Sequence, residues 1–352
     1  MEERVRHLVT VAKSGHVQVQ TEPMPNLAAG QILVRVYASL ISSGTELGAW
    51  TGQPRPDQPT APYRSFGYQN AGEIIEIGAG VRALAVGDRV ACMGAGYALH
   101  SDYACVPQNM ATKLPDTVTF EEGAFVALVG TAMQAARRAE IAFGEDIAIL
   151  GLGLVGQLTA QVCQAAGARV FAFDPYPARV EAARKTGIEM ASADVGEAAI
   201  ARVAQVTEER GLDSAAICFG GDATAALQSV VKMMQQAPDT HRMGRIVLVG
   251  GATITHRFGA DLGNLDLRSA ARTGPGYHDP AYELGADYPE VFVRWTTQAH
   301  LKLFTRWLVE GKLNVRDLIT DRYALAQADQ ACYDLMDHPE RHVGVIIEYS
   351  DT

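Results

Sequence analysis

No run of the chain approaches the about 18 uninterrupted apolar residues that a membrane-spanning helix needs. The first residues, Met-Glu-Glu-Arg-Val-Arg-His, are charged and lack the apolar stretch of a signal peptide behind them. Positive charge is scarce: 30 Lys and Arg stand against 40 Asp and Glu, a formal net charge of −10. That balance, spread along the chain, leaves no basic footprint for nucleic acid or an anionic membrane. The cysteines number only five, Cys92, Cys105, Cys163, Cys218 and Cys332, odd in count, scattered and embedded in apolar runs, which is how buried reduced thiols read. A soluble cytoplasmic protein is expected, with neither nucleic acid nor membrane as partner. Disorder and collagen-like or low-complexity repeats are excluded too, because 48% hydrophobic and 20% charged residues are ordinary globular values. At about 150 residues per domain, 352 residues suggest two domains.

What is present changes character along the chain. The first third reads as β-rich, with short runs at 31–40, 70–77 and 88–93 between Gly, Pro and Asp punctuation. Residues 120–140 carry small and apolar side chains at helical spacing. Strands then alternate with helices: strand 146–151, helix 153–166, strand 169–174, helices 177–187 and 197–210, strand 213–219, helix 222–236 and strand 244–250. Alternation of this kind predicts βαβ units with right-handed crossovers and a parallel sheet, an α/β fold. A helix near 298–311 and a strand at 343–349 close the chain.

The strongest signal is Asp146-Ile-Ala-Ile-Leu-Gly-Leu-Gly-Leu-Val-Gly156, a buried strand running into Gly151-x-Gly153-x-x-Gly156 at the start of a helix. Gly151 permits the tight turn, Gly153 lets backbone approach a pyrophosphate, and Gly156 allows close helix–strand packing. Leu154, Val155 and Gly156 open a helix whose N-terminus offers N–H groups to phosphate. The next strand ends at Asp174, about 20 residues on, where a carboxylate can accept ribose hydroxyls and repel a 2′-phosphate. NAD is therefore expected over NADP, although Arg179, one helical turn later, is compatible with NADP or with simple solvation. Gly220 and Gly250, after two further strands, are candidate cofactor contacts.

A β-rich first third, a central Rossmann unit and a C-terminal return resemble the medium-chain dehydrogenase/reductase superfamily, which includes zinc alcohol and sorbitol dehydrogenases. The resemblance is carried by Gly67-Tyr-Gln-Asn-Ala-Gly72 with the following stretch to Gly78, by Val86-Gly-Asp-Arg-Val90, by the glycine turn, and by Gly311-Lys-Leu with Leu318-Ile-Thr320. It implies a GroES-like catalytic domain over 1–120 and 296–352, with a doubly wound Rossmann domain over 121–295. Zinc-dependent members have a Cys-Gly-Thr-Asp loop, a Gly-His-Glu motif and a third ligand from the helix before the Rossmann domain. This chain has Ser43-Gly-Thr-Glu46, Gly67-Tyr-Gln69 and the apolar Ala124-Phe-Val-Ala-Leu-Val129. Hydroxyls and amides do not make a zinc site, so no metal is expected. Cys92, His100 and Cys105 lack a nearby fourth ligand and read as packed thiols and a loop histidine.

Without zinc, protein donors must polarise the alcohol oxygen and a side chain must take its proton. Ser43, Thr45, Glu46 and Tyr68 lie at the matching positions, where turn hydrogen bonds and ring packing are the plainer roles. His278 is the first candidate for the proton relay, because imidazole titrates nearest neutrality. It belongs to a polar segment with Arg272, Tyr277, Asp279, Tyr288, Arg294 and Trp295, which reads either as a substrate cleft or as a structural insertion or subunit contact. Several polar groups imply several substrate hydroxyls. The expected reaction is NAD-dependent, zinc-independent interconversion of a secondary alcohol and ketone, on a sugar or cyclitol-like polyol. The alternatives are a bacteriochlorophyllide hydroxyethyl dehydrogenase-like enzyme, which the Ser-Gly-Thr-Glu loop also resembles, an NADPH quinone or enoyl reductase, and a non-catalytic cofactor-binding protein. Relatives of this fold pair through the edge of the Rossmann sheet, which predicts a homodimer or homotetramer, with Thr253–Phe258 as the expected edge.

Overall fold

A computed structural model describes residues 4–349. It divides into two compact units. The first takes the described residues up to Gly130, Thr273–Gly311 and those from Leu318 onward; the second takes Thr131–Arg272 and Lys312–Asp317.

The second unit is built on a six-stranded parallel sheet of Asp146–Leu150, Arg169–Phe173, Ala191–Ser192, Ser214–Ile217, Met243–Val249 and Asn264–Ala270. Numbered along the chain, these lie in the order 3-2-1-4-5-6, the doubly wound arrangement with its reversal beside the first strand. Asp146–Leu150 is buried at all five positions, as a strand covered on both faces must be. Its Asp146 carboxylate, 1% exposed, is neutralised by Arg169 and Arg210. Ala148, Leu150, Phe171, Ile217, Leu227 and Val230 form the centre of the core. The edge is Asn264–Ala270, in parallel register with all of Met243–Val249, and not the expected 253–258 segment. Thr253 pairs only with Asp222 in a two-stranded ribbon, and Phe258 is exposed. The local pattern hid the edge strand, since Asn-Leu-Asp-Leu-Arg-Ser-Ala buries only Leu265 and Ala270.

The first unit has a seven-stranded sheet around Gln31–Leu40, which pairs antiparallel with Gln69–Ile77, Tyr103–Pro107 and the C-terminal Gly344–Glu348. Its helix Thr297–Val309 starts where Thr296 accepts a hydrogen bond from the Ala299 N–H. Residues 273–295 belong to this unit, whereas the sequence places them with the dinucleotide-binding domain. Long-range bonds explain the difference: Asn109 Nδ2 donates to the Tyr282 carbonyl at 2.7 Å, Gln108 Nε2 to that of Leu284 at 2.8 Å, and the Ala95 N–H to the Tyr277 hydroxyl at 2.7 Å. Among the described residues no helix is long and apolar enough to cross a membrane.

Candidate active site

In the second unit the glycine turn has the conformation its spacing predicts. Gly151 sits at φ +88, where a side chain would strain the backbone. A Cβ on Gly156 would stand 1.7 Å from the Gly151 carbonyl oxygen, so only glycine lets the helix Leu154–Ala165 start so close to the strand. A Cβ on Gly153 would meet nothing within 4 Å, which leaves the turn open on that side. Leu154 and Val155 supply the first N–H groups of the helix, which have no partner inside it. Gly220 and Gly250 are exposed just beyond the carboxyl ends of their strands. Buried Gln157, missed in the sequence, ties the turn to the acidic loop by donating to the Leu152 and Arg179 carbonyls, while its Oε1 is buried without a protein partner. These features fit a dinucleotide.

Asp174 directly follows the second strand of the sheet, Arg169–Phe173, and its carboxylate holds local backbone. Oδ2 accepts from the Leu152 N–H at 2.7 Å and from Arg179 at 3.4 Å, and Oδ1 accepts from the Tyr176 N–H at 2.9 Å. An ionised carboxylate has about four acceptor sites, so one remains for a ribose hydroxyl. Arg179 is ion-paired with Asp174 and lies over the Tyr176 ring at 4.9 Å.

In the first unit a turn at Ser43–Leu47, directly after the central strand and Ile41-Ser42, gathers a second polar cluster. Gly67, at φ +116, precedes Tyr68, and a Cβ there would stand 2.4 Å from the His100 backbone nitrogen. The Tyr68 phenol lies with Glu46, Thr45, Ser42 and Tyr277 around it. Burial first, and then the Glu46 carboxylate, push its pKa up, while hydrogen bonds from Ser42 and Thr45 act the other way. The hydroxyl beside Tyr68 is therefore that of Ser42 and not Ser43, which starts the turn half-buried. Glu46, 6% exposed, accepts from the Ser42 N–H at 2.8 Å and shares a hydrogen bond with His100 Nε2 at 3.1 Å. Its other oxygen, Oε1, is buried with no hydrogen-bond partner among the described residues. His100 is a fully buried member of this cluster, not a loop histidine.

His278, by contrast, is exposed at φ +71, stacked on Tyr277 with centroids 4.0 Å apart. Its N–H donates to Glu283, a buried carboxylate that also accepts from the Tyr97 hydroxyl at 3.0 Å. The other expected substrate residues do not all converge. Asp279 caps a short helix at Pro280–Glu283 and accepts from the Tyr288 hydroxyl at 2.5 Å. That bond pushes the Tyr288 phenol up to about 12 and holds Asp279 below the usual carboxylate range. The Arg294 guanidinium lies 4.8 Å from the Trp295 ring centre, and Arg272 is exposed in the second unit.

The donors at the family's zinc positions do not fit zinc. Ser43, Tyr68 and buried Ala127 provide hydroxyl, phenol and methyl, and the Gln69 amide is engaged with the Leu128 N–H and the Leu40 carbonyl. Cys92 and Cys105 are buried thiols whose pKa values burial raises. Among the described residues, no group of three or more His, Cys, Asp or Glu is arranged to hold a metal ion.

Comparison with known proteins agrees with this architecture. Residues 28–116 match the alcohol dehydrogenase GroES-like domain, and residues 155–278 match the zinc-binding dehydrogenase family. Sorbitol dehydrogenase of Bacillus subtilis is 25% identical over 92% of this chain and 95% of its own. Mouse sorbitol dehydrogenase is 26% identical over 90% of this chain and 89% of its own. Among solved structures, an Escherichia coli oxidoreductase of unknown specificity superposes with a TM-score of 0.77 at 20% identity, covering 99% of this chain and 100% of that one. The glycine turn, the sheet order and the two domain matches together make this chain a member of the medium-chain dehydrogenase/reductase superfamily, the alcohol dehydrogenase-like oxidoreductases.

Proposed function

We propose that this protein is an NAD-dependent, zinc-independent oxidoreductase that interconverts a secondary alcohol and a ketone, on a sugar or cyclitol-like polyol. The observation that carries this reading is the cluster of Ser42, Thr45 and Glu46 around Tyr68, which stands where zinc-dependent relatives present a metal ligand. Sorbitol dehydrogenases and a probable D-xylulose reductase among the relatives support a polyol substrate. Related structures have been solved with NADP in a Sinorhizobium meliloti protein and with NADH in an E. coli one, and the support for NAD in this chain is the Asp174 carboxylate, which would repel a 2′-phosphate. We take the chain to work as a cytoplasmic homodimer or homotetramer, with Asn264–Ala270 as the available sheet edge.

The glycine turn and the start of the helix at Leu154 would hold the pyrophosphate, and the remaining acceptor site of Asp174 would take a ribose hydroxyl. Bound there, a nicotinamide would supply the acceptor for the hydride that leaves the carbinol carbon. The Tyr68 phenol, kept protonated by burial and by Glu46, donates a hydrogen bond to the substrate oxygen. Thr45 and Ser42 orient that phenol. The unpartnered Glu46 Oε1 is the acceptor for the proton that leaves the alcohol, since a buried carboxylate oxygen without a donor gains most from one. His278 supports the reading less, because its ring is exposed. The test combines metal analysis of the purified protein with stopped-flow absorbance of NAD mixed with a polyol panel. Cofactor reduction without stoichiometric zinc, and insensitive to chelators, is expected; one equivalent of bound zinc would overturn the zinc-independent part, and no reduction with any polyol would overturn the substrate.

A further inference from the structure

Behind Glu46 the first unit contains an unbroken line of hydrogen-bonding side chains that the proposed reaction does not use. Glu46 Oε2 meets His100 Nε2 at 3.1 Å, His100 Nδ1 meets Ser39 Oγ at 2.8 Å, and Ser39 Oγ meets the Tyr349 hydroxyl at 2.9 Å. His100 and Ser39 are 0% exposed, so water does not reach the middle of the line. The elements that build it are far apart in sequence: Ser39 is on the central strand, His100 follows the loop against which Gly67 packs, and Tyr349 follows the last strand. At its outer end Tyr349 lines a cavity of about 590 Å³, open to solvent, with His7, Gln18, Asp102, Asp329 and Glu348. There Asp102 accepts hydrogen bonds from the backbone N–H and ring Nδ1 of His7, both at 2.8 Å.

Each member can both give and take a proton. A hydroxyl donates once and accepts twice, and an imidazole exchanges which nitrogen carries hydrogen. Burial holds the Tyr349 phenol in its neutral form. We propose that His100, Ser39 and Tyr349 form a proton relay connecting Glu46 to the solvent cavity beside His7 and Asp102. The role assigned to this line in turnover rests on the alcohol–ketone reading above; the connection itself does not.

In alcohol oxidation the carbinol carbon gives up a hydride with its electron pair, and the oxygen gives up a proton to Glu46. With His100 protonated on Nδ1, rotation of the Glu46 carboxyl group brings the proton it has taken to the side facing Nε2, Nε2 takes that proton, Nδ1 gives one to Ser39, Ser39 gives one to Tyr349, and Tyr349 releases one to cavity water. No net charge is left on the line. In ketone reduction the opposite tautomer, with hydrogen on Nε2, carries a proton inward through the same partners. The two directions differ only in the imidazole tautomer and the rotation of two hydroxyls.

The experiment is solvent exchange of the His100 ring proton, followed by NMR of 15N-histidine-labelled full-length protein without substrate. A ring that is wholly buried but wired to a cavity exchanges through the hydroxyls. Tyr349→Phe and Ser39→Ala, each cutting the line while keeping the side chain's shape or shrinking it slightly, are expected to slow exchange by about 10²-fold, the low end of what a positioned proton-transfer partner contributes. Loosened packing would speed exchange, so the sign separates relay from structural support. Exchange unchanged or faster in both variants overturns the relay, whether or not the protein oxidises a polyol. Absence of polyol oxidation with slowed exchange in the variants removes the catalytic reading and leaves the relay standing.

Discussion

The glycine turn of the second unit and the Glu46–Tyr68 cluster of the first solve different problems. The turn is written in backbone: Gly151 and Gly156 leave room, and the atoms that would touch a cofactor are main-chain N–H groups common to any sequence. The cluster is written in side chains: Ser42 with Glu46, Tyr68, and His100 come from three separate segments, and the identity of each group sets the chemistry. A backbone site tolerates change around it and keeps its ligand class. A side-chain site keeps its shape while its chemistry is exchanged, which is how the Ser43 hydroxyl, the Tyr68 phenol and the Ala127 methyl come to stand at the family's zinc positions.

The largest expected effect tests the side-chain site. Tyr68→Phe removes the phenol donor and should lower kcat by about 10²–10⁴-fold with little change in KM, measured by steady-state kinetics on folded protein; an unchanged kcat would take Tyr68 out of the chemistry. Next, Asp174→Ala should weaken NAD binding by about 1.5–3 kcal/mol, seen by calorimetric titration, and narrow the preference over NADP. If the unaltered protein already binds NADP more tightly, Asp174 does not select the cofactor. His278→Ala sharpens the contrast from the other side. Its exposed ring predicts a kcat loss well under the about 10²-fold of a general base, and a larger loss would return the proton to the loop.

The smallest effect concerns the Asp279–Tyr288 bond. Asp279 is held below its ordinary value, so its contribution to stability is present above the usual carboxylate pKa near about 4 and fades as pH falls below it. Tyr288 is raised to about 12, so its contribution is present below the usual phenol value near about 10 and is lost as pH rises through about 12. Between those limits Tyr288→Phe should lower the thermal midpoint slightly, and outside them the two proteins should converge. A difference that persists at acid pH would mean that ring packing, not the bond, is what the hydroxyl supports.

The contrast between the sites also decides what could be read in advance. The glycine turn and Asp174 lie within 24 residues of one another, and their spacing alone carries the geometry. Thr45, Glu46 and Tyr68 were reachable only through the resemblance, which aligns loops that physics does not join in sequence. The sequence points to Ser43 instead of its neighbour Ser42, because a short π-helical turn, wider than an α-turn, decides which of two adjacent hydroxyls turns to Tyr68. His100 reads as a loop histidine in the sequence because its partners, Ser39 and Glu46, are 61 and 54 positions away. The 273–295 segment was assigned to the wrong neighbour for the same reason: Ala95, Gln108 and Asn109 hold it through bonds that leave no periodic trace.

The strand Gly344–Glu348 pairs with Gln31–Leu40 through Ile346 opposite Leu40, so one of the earliest strands made acquires this neighbour only near the end of synthesis. At typical ribosomal speeds the roughly 300 residues between those partners take about 15–60 s to appear. For that interval Ala38, Ser39 and Leu40 form an uncovered strand edge, while the parallel-sheet unit, whose chain emerges in between, can already close. The nascent chain thus finishes its middle before its beginning.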